Sequence, residues 1–256
     1  MSAAVRVMVL RAAGTNCDAE ALHAWTIAGG VPELVHIHRL IERPTLLREY
    51  RILTIPGGFS YGDDIAAGRI LANQFVQNTA DETRRFIEAG KLILGVCNGF
   101  QVLVKAGLLP FPEGREHTVT LAFNESGRFE ARWVRLRAGR TRCRFLTEGA
   151  EFEFPVAHAE GRLVCRDETL VRQLMVGGHV ALSYTNGGSR CPYPANPNGS
   201  AGDIAGLTDA TGQILGLMPH PERHVAHTQH PLWTRRTPTG EPDGLRFFKA
   251  ALASLV

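Results

Sequence analysis

Apolar and polar positions in the first 110 residues alternate between short apolar runs and amphipathic segments. Four apolar runs have the length of buried strands, at residues 5–10, 34–38, 51–55 and 91–96. Residues 19–28 predict a helix that Gly29 and Gly30 end. Strands that alternate with helices through short connections predict an α/β fold, a mostly parallel sheet with helices on both faces.

The pattern changes after Pro110, where strand-like runs follow one another with little helical periodicity. These runs predict a small antiparallel stretch within or beside the main sheet: residues 118–124, 129–136, 151–156 and 179–185. Residues 204–208 and 213–218 predict two strands joined by a turn, and residues 243–256 an amphipathic helix. Thr79 and Glu82 form a capping-box pattern that predicts a helix start. The 256 residues are expected to form one domain, residues 1–256.

The most informative stretch is the junction around Cys97. An apolar run ends there, Gly95 and Gly99 flank the cysteine at two residues on each side, and a helical segment follows. This is the pattern of a nucleophile elbow, in which small neighbours allow a strained turn that presents the nucleophile above the sheet. The N-terminus of a helix also favours a thiolate. A buried structural cysteine between two packing glycines remains the alternative at this point.

A second loop, residues 56–64, follows the third predicted strand. Gly57 and Gly58 come directly after that strand, so their backbone N–H groups could form an oxyanion hole. A turn that merely needs glycine conformations would show the same residues. In parallel sheets ligands bind beyond the carboxyl ends of the strands, and this loop, residues 14–18 and the cysteine elbow all lie at such ends.

A cysteine nucleophile needs a base and a group that orients it. Among ten histidines, two precede a glutamate at the second position, His158 with Glu160 and His220 with Glu222. His220 directly follows a predicted strand, and prolines on both sides restrict its backbone, so it is favoured as the base. Spacing alone leaves His158 open. Neither dyad comes with the clustered histidines of a metal site, so no metal is predicted.

Composition narrows the class of protein further. The hydrophobic fraction of 44%, the charged fraction of 21% and the net charge of +3 are those of an ordinary globular enzyme and argue against nucleic-acid binding. Five widely spaced cysteines without a C-x-x-C motif indicate reduced thiols and a cytoplasmic location. No apolar run approaches membrane-spanning length, and none at the start resembles a signal peptide.

Several motifs in this order carry a family resemblance. The stretch from Gly95 to Gln101 and the late Pro-His-Pro-Glu at residues 219–222 resemble the class I (triad) glutamine amidotransferases. Residues 56–63, 157–161 and 193–200 extend the likeness to the glutaminase subunits of phosphoribosylformylglycinamidine synthase. Two features depart from that pattern, because Ala13 stands where many relatives have proline and residues 224–242 form an additional excursion.

The resemblance implies a catalytic triad of Cys97, His220 and Glu222 that hydrolyses L-glutamine through a thioester. It implies substrate binding by the following residues: Gly57, Gly58, Phe59, Asn98 and Gln101. The backbone N–H groups of the turn at residues 57–59 and of Asn98 would hold the oxyanion. The ammonia would pass to a separate synthetase subunit that uses ATP and magnesium in purine biosynthesis, whereas this chain carries no ATP motif and no cofactor. Whether a small third subunit takes part stays open, and a cysteine peptidase or another elbow-bearing hydrolase is the alternative.

Overall fold

The computed structural model describes residues 4–112, 118–188, 191–237 and 239–255. The strands of this part of the chain are β1 Arg6–Arg11, β2 Val31–His36, β3 Ile52–Ile55, β4 Leu92–Val96, β5 Val119–Ala122, β6 Glu130–Arg137, β7 Glu151–His158, β8 Arg162–Cys165, β9 Val180–Tyr184, β10 Ile204–Thr208 and β11 Ile214–Leu217. The helices are α1 Asp18–Ala28, α2 Ile37–Glu42, α3 Arg69–Glu88, α4 Asn98–Lys105, α5 Glu168–Val176 and α6 Asp243–Ala253.

Nine strands form the main sheet in the order β2-β1-β3-β4-β11-β10-β9-β6-β7. The first five of these are parallel, and β4 pairs with β11 so that Val96 lies beside Leu217. Cys97 and the segment that leads to His220 therefore leave the sheet at the same edge, as predicted. The α/β class with a parallel sheet is confirmed.

The other half of the sheet is antiparallel, and its edge strand contacts a loop of the parallel half. Strands β10, β9, β6 and β7 pair antiparallel, and β5 with β8 forms a separate two-stranded sheet. The His220 N–H donates to the Pro155 carbonyl of the edge strand β7 at 2.9 Å. Strand β7, four strands away from β11 in the sheet order, thereby lines the segment that follows β11.

Two helix starts differ from the sequence predictions. Helix α3 begins at Arg69, and Thr79, predicted to cap a helix start, lies within it and bonds the Phe75 carbonyl at 2.6 Å. Thr79 lies on the buried face of this helix. Polar residues on that face interrupt the apolar periodicity by which the helix could be recognised in the sequence. Helix α1 begins at Asp18 itself, and Cys17 occupies its N-cap position.

The helices enclose the sheet in two groups. Helix α1 packs with α6, where Trp25 meets Phe248 at a ring-centroid distance of 4.7 Å and donates to Thr54 Oγ1 at 2.9 Å. Helix α3 packs with α2 and α4. Among the described residues, no helix is long and apolar enough to cross a membrane.

Candidate active site

The elbow at Cys97 is strained as the sequence predicts. Cys97 has φ 52° and ψ −106°, although it carries a side chain, and it links β4 directly to α4. A non-glycine residue with positive φ costs free energy and is found where surrounding structure enforces it. The Cys97 N–H donates to the Leu217 carbonyl at 2.8 Å, which holds the turn against β11. The side chain is 6% exposed.

The two flanking glycines are required by close backbone approach. A Cβ on Gly99 would lie 1.9 Å from the Ile55 carbonyl oxygen of β3. A Cβ on Gly95 would lie 2.6 Å from the Gly99 oxygen and 2.5 Å from Leu103 Cδ1. Any larger residue would push α4 away from the sheet. The glycines therefore serve the elbow itself, and Cys97 is not a packing cysteine in a relaxed turn.

His220 and Glu222 form a buried hydrogen-bonded pair. The 3₁₀ turn Pro221–Arg223 brings the glutamate back, so that Glu222 Oε1 lies 2.6 Å from His220 Nδ1. Both side chains are 2% exposed. Burial alone would lower the pKa of His220, but the Glu222 carboxylate and then the Cys97 sulfur raise it well above its usual value. The raised pKa enables this ring to hold a proton that it takes from Cys97.

Three loops converge on Gly57, which follows β3. The position that a Cβ on Gly57 would take lies 2.8 Å from His220 Cε1 and 3.4 Å from Cys97 Cβ. The Cys97 thiol also points to the Ala157 carbonyl at the end of β7, at 3.7 Å. The structure thus brings together the nucleophile, the base and its carboxylate that the sequence predicted.

The backbone donors predicted for an oxyanion hole are available in part. The Phe59 N–H is bonded to the Gly14 carbonyl at 2.9 Å, so it cannot also hold an oxyanion without breaking that bond. The N–H groups of Gly58 and Asn98 have no hydrogen-bond partner among the described residues. Gly58 has φ 151° and lies against Gly14 and Asn16, which fixes its peptide.

Asn98 and Gln101 brace the loops around the cysteine. Asn98 Oδ1 accepts the Ser60 N–H at 3.2 Å, and its Nδ2 donates to Asp63 at 3.1 Å and to Gln101 at 2.9 Å. Gln101 in turn donates to the Glu160 carbonyl at 2.6 Å. The predicted contact of Gln101 with glutamine would have to use its remaining N–H and lone pair.

The second dyad of the sequence does not form in the structure. His158 Nδ1 lies 3.1 Å from Asn124 Oδ1, and the ring is 3% exposed. Burial, and after it the charge of His220, lower the pKa of His158 to about 3. The carbonyl of Glu160 is the group that serves the site, through Gln101. His158 is therefore a neutral imidazole, which makes His220 the better base.

Cys17 lies in the site although sequence reasoning placed it only in a turn. Its Sγ is 4.0 Å from His220 Nδ1 and accepts from Arg223 Nη2 at 3.1 Å. The sulfur, His220 and Glu222 offer ligand atoms within 4.8 Å of one another, a spacing that a metal ion could use. The guanidinium on the sulfur and the 2.6 Å bond between the other two groups oppose a cation there.

Comparison with known proteins shows which family of domains the chain matches and which individual proteins it resembles. Residues 4–253 match the family of CobB/CobQ-like glutamine amidotransferase domains. The chain is 44% identical to the phosphoribosylformylglycinamidine synthase subunit PurQ of Dehalococcoides mccartyi, over 97% of this chain and 96% of that protein. It is 40% identical to the subunit PurQ of Treponema denticola over 86% of this chain and 88% of that protein.

A solved structure agrees with these relatives. A chain in the structure of PurLQS from Thermotoga maritima superposes with a TM-score of 0.74 at 32% identity, covering 99% of this chain and 100% of that one. The chain therefore belongs to the PurQ family of phosphoribosylformylglycinamidine synthase subunits. The family resemblance drawn from the motifs is confirmed, and the alternative of a cysteine peptidase is not favoured.

Proposed function

We propose that this chain hydrolyses L-glutamine to glutamate and ammonia with Cys97 as nucleophile, His220 as base and Glu222 as the group that orients the base. The observation that carries the proposal is the strained Cys97 at φ 52° beside a buried histidine whose Nδ1 is 2.6 Å from a carboxylate. This arrangement supplies the nucleophile, the proton acceptor and the orienting group of a triad.

The reaction proceeds in two stages. His220 takes the Cys97 proton, and the thiolate attacks the carboxamide carbon of glutamine. The N–H groups of Gly58 and Asn98 stabilise the oxyanion, and losing one such donor typically costs about 3 kcal/mol in barrier height. His220 gives its proton to the leaving nitrogen, which departs as ammonia. Water then hydrolyses the glutamyl thioester and restores the thiol.

The ammonia is used by a partner. The chain supplies it to a synthetase subunit of the PurL type, together with a small subunit of the PurS type, for the formation of formylglycinamidine ribonucleotide in de novo purine biosynthesis. The names of the relatives and of the PurLQS structure support this assignment. ATP and magnesium belong to the synthetase subunit, and the cytoplasm is the location of the complex. Five free cysteines fit a reducing compartment.

The test is Cys97→Ser in the assembled complex. We expect glutamine-dependent synthesis and glutamate release to fall by at least about a thousandfold, because the nucleophile is lost. Synthesis supported by added ammonia should keep the wild-type rate. Cys143→Ser is the matched control, because burial raises the pKa of that thiol to about 12 and keeps it unreactive. Glutaminase activity that survives Cys97→Ser would refute the proposal, as would the loss of both reactions in a folded variant.

A further inference from the structure

His158, the histidine that the triad does not use, is held in one tautomer. Asn124 Nδ2 donates to the His158 carbonyl at 2.8 Å and to the Arg128 carbonyl at 2.9 Å, which fixes the orientation of the amide. Asn124 Oδ1 therefore faces His158 Nδ1 at 3.1 Å and also accepts the Gly161 N–H. Because an amide oxygen can only accept, the ring proton is on Nδ1 and Nε2 carries a lone pair.

That lone pair has no protein partner. His158 Nε2 is buried and makes no hydrogen bond to any described residue. A buried acceptor without a partner destabilises the fold, so such atoms are uncommon unless they have a function. The ring is also fixed in place, since a Cβ on Gly161 would lie only 2.4 Å from His158 Cε1 and Nδ1.

His158 directly follows a residue that contacts the nucleophile. The preceding residue, Ala157, accepts the Cys97 thiol with its carbonyl, and Pro155 on the same strand accepts the His220 N–H. His220 Nε2 is likewise buried and has no partner among the described residues. Each of the two histidines thus has one ring nitrogen without a partner in the described part of the chain.

A hydrogen-bond acceptor at this position discriminates between ligand groups by their charge and by whether they donate a hydrogen bond. It repels a developing oxyanion, and it binds a group that donates N–H. A ring whose pKa is about 3 accepts such a hydrogen bond without taking the proton or giving one.

We propose that His158 Nε2 accepts a hydrogen bond from the nitrogen that leaves glutamine, first as the carboxamide and then as ammonia. His158 is then a substrate-binding residue that positions the leaving nitrogen. The inference rests on the proposed glutaminase reaction. His158 only accepts a hydrogen bond in this role. The proton that the leaving nitrogen takes up comes from His220.

The experiment replaces the ring with and without an acceptor. His158→Leu removes the acceptor, and His158→Gln keeps an acceptor oxygen. The control is His179→Leu, which removes another buried ring, one that bonds the Thr208 carbonyl at the opposite edge of the sheet. Each variant is assembled with the synthetase. The measurements are KM for glutamine, glutamate released per amidine product formed, and the ammonia-supported rate.

We expect His158→Leu to raise KM, the glutamate-to-product ratio, or both about fivefold, as the loss of one hydrogen bond would. A rise in KM assigns the bond to the carboxamide, and a rise in the ratio assigns it to ammonia. His158→Gln should recover part of either effect, with the ammonia-supported rate unchanged throughout. Unchanged values in folded His158→Leu, or changes no larger than in the control, would overturn the inference. A thioester that accumulates after normal acylation would also overturn it, because the acceptor would then serve water.

The experiments distinguish a failure of the proposed glutaminase reaction from a failure of the role proposed for His158. Survival of glutaminase activity in Cys97→Ser would remove the proposed reaction whatever the His158 variants do. Normal coupling in the His158 variants, with an inactive Cys97→Ser, would leave the triad intact and remove only the role of His158.

Discussion

The sharpest probe of the site is a single methyl group at Gly57. In Gly57→Ala the new Cβ would lie 2.8 Å from His220 Cε1, 3.1 Å from Cys17 Sγ and 3.4 Å from Cys97 Cβ. The backbone of Gly57 does not adopt the left-handed conformation, so alanine introduces bulk there without backbone strain. The substitution therefore tests how closely the His220 ring must approach Gly57 for the reaction.

The size of the effect follows from these contacts. Carbon atoms in contact prefer about 3.5–4.0 Å, so the ring must move by roughly 0.7 Å or more. Because a shift of about 1 Å in a reacting group can cost a hundredfold in rate, we expect glutaminase kcat to fall by about 10- to 100-fold. Overpacking of a buried site should lower the free energy of unfolding by about 1–3 kcal/mol.

The assay compares glutamine-dependent and ammonia-dependent synthesis by the assembled complex. Only the glutamine-dependent rate should fall. Gly139→Ala is the control, because a Cβ at Gly139 meets no atom within 4 Å and its backbone is likewise unstrained for alanine. Full glutaminase activity in Gly57→Ala would mean that His220 does not stand against Gly57 during the reaction, and the geometry argued for the triad would be refuted.

Two further substitutions test the elbow and the charge on the base. Gly99→Ala should destabilise the fold by more than about 3 kcal/mol in denaturant titrations, because its Cβ would lie 1.9 Å from a β3 carbonyl; a loss below about 0.5 kcal/mol would contradict the close approach. Glu222→Gln should lower glutaminase kcat by about 10²–10⁴-fold, since the base loses its orienting carboxylate. The raised pKa of His220 stabilises the wild-type fold fully below the unfolded pKa of about 6.5, and this stabilisation is lost as the pH rises through the folded value. The stability deficit of Glu222→Gln should therefore be larger at pH 6 than at pH 9, and a deficit independent of pH would argue against a charged His220.

The parallel half of the sheet and the triad could be predicted because their signals are local. Apolar runs that end in glycine turns mark the strand ends, and the parallel pairing of β4 with β11 brings those ends together. The His-x-Glu spacing of His220 and Glu222 is completed by the short turn that contains it. Each of these features needs only a few consecutive residues to form.

Contacts between distant parts of the chain could not be predicted in the same way. The thiol of Cys17 meets His220 from 203 residues away, and Asn124 meets His158 from 34 residues away. The first contact depends on the strand order β1-β3-β4-β11, and the second on the segment after β5 lying beside the end of β7. No spacing rule carries that information, since register between non-neighbouring strands is a property of the whole fold.

The two histidine dyads show why spacing decides less than surroundings. His158 is the last residue of β7 and His220 follows β11, and each has a glutamate two residues later. His220 receives its carboxylate because the turn Pro221–Arg223 folds Glu222 back onto the ring. His158 receives a neutral amide from Asn124, and burial then lowers its pKa to about 3. A carboxylate partner makes a buried imidazole a base, whereas an amide partner leaves it neutral, so the same sequence pattern yields two rings of different chemistry within one site.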